Sequence, residues 1–152
     1  MSGDADLVAE MMAAMLSNDP DVVLEMYSED CRVSDPAMQE SGKAGLRRAV
    51  EYFFAAFRME DIEVEEVIRQ DPALIIRSRW QAVHQGEYLG VQPTGRLFTT
   101  WNIMWLVVRD GKIINDTSVW DAGELRRLEQ LPEEMNAGSQ MPERTLDALR
   151  KT

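Results

Sequence analysis

The segment LFTTWNIMWLVVRDGKIINDTSVWD, Leu97–Asp121, decides the fold. Residues 97–108 form a long, mostly apolar run rich in Trp, Ile, Leu and Val, the composition of a strand with both faces covered. Arg109-Asp110-Gly111-Lys112 carries the Asp-Gly signal of a tight hairpin turn, and residues 113–120 supply the partner strand. Upstream the period is two: Leu74, Ile76, Trp80 and Ala82 fall on one face, and Arg77, Arg79 and Gln81 on the other. Asp71-Pro72 turns this strand back on an earlier one that begins at Ile62 and Val64, and Gly86 to Gly95 is a Gly/Pro-punctuated loop.

Before Glu60 the period is helical. Leu7, Met11 and Met15 recur every four residues within a helix over 5–17, with Asp4 and Asp6 as possible caps. Asn18-Asp19-Pro20 breaks it. A second short helix places Val23, Leu24 and Tyr27 on one face and ends at Ser28-Glu29-Asp30. Cys31-Arg32-Val33 reads as a short strand running into Asp35-Pro36. After Gly42 comes the clearest helix, with Leu46, Val50, Phe53, Phe54 and Phe57 as one stripe opposite Arg47, Arg48 and Glu51. Ala122–Gln130 reads as another short helix. Helices first and antiparallel strands after indicate α+β. Three helices on one strongly curved, mainly antiparallel sheet make a cone-shaped barrel with an apolar pocket at its mouth. That domain spans 1–131. Residues 132–152 change composition (Pro132, Gly138, Pro142) and form a C-terminal extension, with a small helix expected at 143–150.

Composition narrows the function. The 16 Lys+Arg and 27 Asp+Glu give a net charge of −11, with no basic stripe. Nucleic acid and anionic membrane surfaces are therefore not expected partners. One histidine, His84, and one cysteine, Cys31, leave no histidine- or thiolate-based metal site to expect, and no internal disulfide. Phosphate-cradling glycine loops and nucleophile elbows are missing from the sequence. No apolar run approaches the roughly 18 residues of a membrane span. The expectation is a cytoplasmic, cofactor-free domain.

Four residues are candidates for chemistry. In a regular strand Ile113, Asn115, Thr117, Val119 and Asp121 share one side. A carboxylate against that wall would be desolvated and fit to exchange protons near neutral pH, although Asp121 also suits the cap of the helix that follows. Asp35, before Pro36, is either a plain turn residue or a second carboxylate at the pocket. His84 has the parity of the apolar face, as a core or rim residue or as a proton carrier. Asn102, an amide in the strongest strand, needs partners, from the protein or from a ligand carbonyl.

The stretch His84-Gln85-Gly86-Glu87-Tyr88-Leu89-Gly90, followed by Val91-Gln92-Pro93-Thr94-Gly95, resembles the H-x-G-x-x-x-G-x-x-P-T-G segment of SnoaL-like polyketide cyclases. Arg109-Asp110-Gly111-Lys112-Ile113, then Val119-Trp120-Asp121 and the Leu125…Leu128 helix, match the closing hairpin of the same family. The resemblance covers roughly residues 5–130. It implies the cone shared with nuclear transport factor 2 and ketosteroid isomerase. It also implies cofactor-independent aldol ring closure of a bulky, apolar or polycyclic carbonyl compound, with Asp121 as acid/base. Tyr27 to Pro36 resembles the ketosteroid isomerase segment whose aspartate before proline is the general base, which gives Asp35 a used position. Asn115-Asp116-Thr117-Ser118 stands where relatives often carry His and Trp, and relatives with altered pockets act as hydroxylases, dehydratases or isomerases. The expected catalytic residues are thus Asp121, Asp35 and His84. Asn102, Tyr27, Trp80, Trp101, Met104 and Phe54 are expected to contact substrate. The resemblance also implies a homodimer through the exposed sheet face. The competing expectations are another reaction in the same pocket, or a non-catalytic binding or dimerisation module.

Overall fold

The computed structural model describes residues 3–131. The extension over 132–152 and its small helix lie outside the described residues. In chain order the elements are α1 (Gly3–Leu16), α2 (Pro20–Leu24), β1 (Tyr27–Ser34), β2 (Gln39–Ser41) and α3 (Gly42–Ala56). Then come β3 (Phe57–Gln70), β4 (Ala73–His84), β5 (Leu97–Arg109), β6 (Lys112–Trp120) and α4 (Ala122–Gln130). The strands form one curved six-stranded sheet in the order β2-β1-β6-β5-β4-β3. Every neighbouring pair is antiparallel except β1 with β6, which run parallel. The class is α+β, as the order of patterns predicts.

The alternation of β4 is as regular as its sequence suggests. Even-numbered residues from Leu74 to His84 are buried, and Arg77 and Arg79 are exposed. Its partner β5 also alternates, with Phe98, Thr100, Met104 and Leu106 inside. The expectation that both faces of β5 are covered is corrected: among the described residues nothing packs over its outer side, and Trp101, Ile103 and Trp105 stand exposed.

Three further differences have local causes. The second helix, expected to run through Tyr27 and end at Ser28-Glu29-Asp30, stops at Leu24, and those residues are strand, because Tyr27 already pairs with Ile113 and β1 runs along β6. Phe57 opens β3 rather than closing the α3 stripe. Its backbone is extended, and its N–H still bonds to Phe53 O, so the helix ends on the residue that starts the strand. The third is a β-bulge in β6. Val107 pairs with Asn115 and Val108 with Ile113, leaving Ile114 as the extra residue. Such an insertion reverses which side chains face inward beyond it. Ile113 is buried, but the inward residues that follow are Asp116 and Trp120, with Ser118 half-buried between them, and not Asn115, Thr117 and Val119. Strand β3 is an edge, protected by charges, a common defence of unpaired strands. There Glu65 forms ion pairs with Arg77 and Arg79.

Candidate functional site

The helices and the inner sheet face enclose a cavity of about 120 Å³. Helix α1 supplies Met11, Met12 and Met15, and α3 supplies Leu46, Ala49, Val50 and Phe53. The sheet contributes Met59, Ile62, Trp80 and Met104, with Trp120 closing one side. Polar groups gather where β1, β4, β5 and β6 face inward: Tyr27, Ser34, Asp35, Ser78, Asn102, Asp116 and Ser118. The lining holds two carboxylates and no Lys, Arg or His. Among the described residues no cation lines the cavity to offset these acids.

Their surroundings differ. Asp116 is only 8 % exposed. It accepts hydrogen bonds from the Tyr27 hydroxyl (2.6 Å) and the Ser118 hydroxyl (2.7 Å), one on each oxygen. Burial pushes its carboxyl above the ordinary range, the two hydroxyls pull it back, and the charge of Asp35 raises it further. Burial and the neighbouring Asp116 also raise the Tyr27 phenol. Asp35 follows β1, and its Oδ1 accepts the backbone N–H groups of Ala37 (2.7 Å) and Met38 (2.9 Å), a turn set by Pro36. Burial raises its carboxyl too, against the pull of those two N–H groups. Its Oδ2 has no partner among the described residues and is open to a ligand. On the sheet, the Ser78 hydroxyl donates to Asn102 Oδ1 (2.5 Å), leaving the Asn102 NH₂ group as the donor for a guest. The site pairs a carboxylate with a free oxygen, a second acid in a hydroxyl cradle, and an oriented amide.

A family model described as SnoaL-like polyketide cyclase matches residues 6–130. The chain belongs to the SnoaL-like polyketide cyclase family. Among solved structures, AclR, a candidate hydroxylase from Streptomyces galilaeus, is 28 % identical to it. The match covers 84 % of this chain and 96 % of AclR, with a TM-score of 0.69. A candidate SnoaL-like polyketide cyclase from Jannaschia sp. CCS1 is 18 % identical over 86 % of this chain and 94 % of its own, with a TM-score of 0.75. IdmH, a candidate polyketide cyclase from Streptomyces antibioticus, is 21 % identical over 84 % and 98 %, with a TM-score of 0.68. At those two identities the likeness shows the ketosteroid isomerase-like fold alone. No curated protein matches the chain.

Within this SnoaL-like framework the expected site residues divide. Asp35, Asn102, Tyr27, Trp80 and Met104 line the cavity together. Asp121 does not. The bulge at Ile114 turns it away from the apolar wall, and it stands exposed as the cap of α4. There it accepts the Gly123 N–H (2.8 Å) and pairs with Arg127 (2.8 Å), which holds its carboxyl below the ordinary range. Trp101 sits on the outer sheet face, 45 % exposed, because β5 alternates and its odd-numbered residues face away. Phe54 is core. Its neighbour Phe53, about 100° around the helix, meets the cavity and packs on Trp80.

His84 has the inward parity the sequence gives it, yet it is not part of the lining. Its ring is wholly buried against Phe57 and, kept from water, is held in the neutral form. Nδ1 accepts the Thr94 N–H, while the backbone of His84 bonds to Gly95 and Arg96. Gly86 completes this latch, since a Cβ there would lie 2.2 Å from Ala55 O. The H-x-G…P-T-G segment thus closes the loop at the C-terminal end of β4. It does not supply a proton carrier to the cavity.

Asp116, Ser118, Ser78 and Phe53 were absent from the expected site. Counting back in twos from Trp120, an aromatic that has to be buried, places Ser118 and Asp116 inside. Counting forward from Ile113 crosses the bulge and puts them outside.

Proposed function

We propose that this chain is a cofactor-independent acid/base enzyme of the polyketide cyclase type, closing a ring by intramolecular aldol addition on a bulky, largely apolar carbonyl compound. The observation that carries this reading is the pair of unlike carboxyls, Asp35 and Asp116, in one apolar cavity without a cation. Apolar surroundings that push two acids apart in character suit separate base and acid roles. Asp35 Oδ2 takes the proton from the carbon beside a carbonyl. The developing enolate oxygen meets the Asn102 NH₂ group and the Tyr27–Asp116 pair. With Asp116 neutral, its proton holds the phenol oxygen, and the Tyr27 hydroxyl turns to the substrate. The enolate carbon attacks a second carbonyl of the same molecule, and Asp35 returns its proton to the new alkoxide. Asp121 and His84 act from outside the cavity, as cap and latch.

The test compares two substitutions in turnover of a polycyclic keto substrate. Asp35→Asn should lower turnover by about 10²–10⁴, the usual span of acid–base catalysis, while Asp121→Asn stays within about tenfold. The reverse ranking would return the acid/base role to Asp121. The likeness to AclR favours hydroxylation as a second reading, and a product that gains an oxygen atom would select it. No helix among the described residues is long and apolar enough to cross a membrane. A cytoplasmic homodimer completes the proposal, with a second copy covering Trp101, Ile103, Trp105 and Val119, which stand exposed on the outer sheet face.

A further inference from the structure

The two sides of the cavity differ in how firmly they are held. On the sheet side, Ser78, Asn102 and Trp120 are linked across successive strands, Ser78 opposite Asn102 and Asn102 opposite Trp120. The rings there brace one another: Trp80 lies 5.6 Å from both Trp120 and Phe53, centre to centre. The opposite wall is α1, which presents Met11, Met12 and Met15. The C-terminal end of α1 is tied to the sheet through the side chain of Asn18. Its Oδ1 accepts Met59 N–H (2.7 Å), and its amide donates to Met59 O (3.1 Å). Along its length α1 meets the core through Leu7, Val8, Met11 and Ala14, and such apolar packing gives way more easily than a hydrogen-bonded ladder. Methionine has three rotatable bonds and fills irregular space without fixing its shape.

The volume makes this difference matter. About 120 Å³ is of the order of the ~150 Å³ engineered cavity that holds a single benzene ring. A polycyclic guest needs more room, and the three methionines of α1 are the largest group of adaptable side chains in the lining. We propose that Met11, Met12 and Met15 are the specificity-determining residues for ligand size, with α1 shifting about its Asn18 anchor as larger guests enter. This rests on the cavity being the substrate site.

The experiment uses three neutral ketones as probes: acetophenone, 2-acetylnaphthalene and 2-acetylanthracene. Calorimetry measures their affinity for the full chain and for a Met12→Ile/Met15→Ile variant, whose branched side chains are stiff. The wild type should bind all three. In the variant the affinity for the three-ring ketone, taken relative to acetophenone, should fall about tenfold or more below the wild-type ratio. As a check that needs no stable variant, ¹³C-methyl resonances of Met11, Met12 and Met15 in the wild type should move more with the three-ring ketone than those of Met59 and Met104. An equal ratio in both proteins, or α1 methyls that stay still when 2-acetylanthracene binds, overturns the proposal and leaves the cavity assignment standing. Failure of the wild type to bind even acetophenone removes both.

Discussion

Asp35 and Asp116 reach one cavity by different routes, and their protons should report it. Each carboxyl is raised above its ordinary value of 3.8, chiefly by burial. The folded chain therefore holds protons at pH values where the unfolded chain has released them. Stability from such a group is complete below the ordinary value and is lost as pH climbs through the raised one. Asp35→Asn keeps an oxygen for the Ala37 and Met38 N–H groups and removes one of these protons. The unfolding free energy of the wild type minus that of the variant, measured in urea, should fall as pH rises above about 4 and then level off. A difference that stays flat would mean Asp35 is not the buried acid described. This residue was half legible in the sequence: Asp-Pro after a short strand announces a turn, while its place at the pocket was implied by the resemblance to the ketosteroid isomerase segment. Asp116 was hidden, since one inserted residue changed its parity. His84 was half legible: its facing followed from alternation, but its distance from the cavity depended on a loop folding back over it.

At the level of elements, α4 starts on Asp121, whose carboxylate caps Gly123 and pairs with Arg127. A Cβ at position 123 would crowd that carboxylate at 2.9 Å, so the glycine leaves room for the cap. Asp121→Ala should lower the denaturant midpoint, as the loss of an N-cap does, while turnover changes little. Denaturant midpoints and initial rates on one preparation check this, and a stable but inactive variant would contradict it. Helices α1 and α3 and strand β4 were legible because long periodic segments declare their faces, whereas β5 and β6 were legible as a hairpin but not in what their faces meet. Strand β1 was longer than its sequence suggested, and β2 was not foreseen. Both depend on partners distant in the chain: β1 is held by β6, and β2 in turn by β1.

The molecule as a whole has one closed side and one open side. Inside, the rings of Phe53, Phe57, Trp80, Phe98 and Trp120 contact one another. Outside, Trp101, Ile103, Trp105 and Val119 meet solvent, with Trp105 53 % exposed. Contiguous apolar surface of this kind marks an interaction site. The homodimer proposed above should sediment as two copies, and Trp105→Lys should return it to one. A wild-type monomer at micromolar concentration would refute the pairing. The outer face was misread because an apolar run does not say whether its second face is covered by its own chain or left for another.

The extra residue at Ile114 also bears on how roles pass between relatives. Between the hairpin turn and the closing tryptophan it sets a phase: in a chain one residue shorter there, the residue reached by counting five places forward from Gly111, as Asp116 is here, would face outward, and the next one would face the cavity. Matching relatives forward from the Asp-Gly turn therefore pairs inward residues with outward ones. Numbered backward from Trp120, the same strands align by facing. Within this family, a missing acid on the last strand is evidence of a different chemistry only after that phase has been counted.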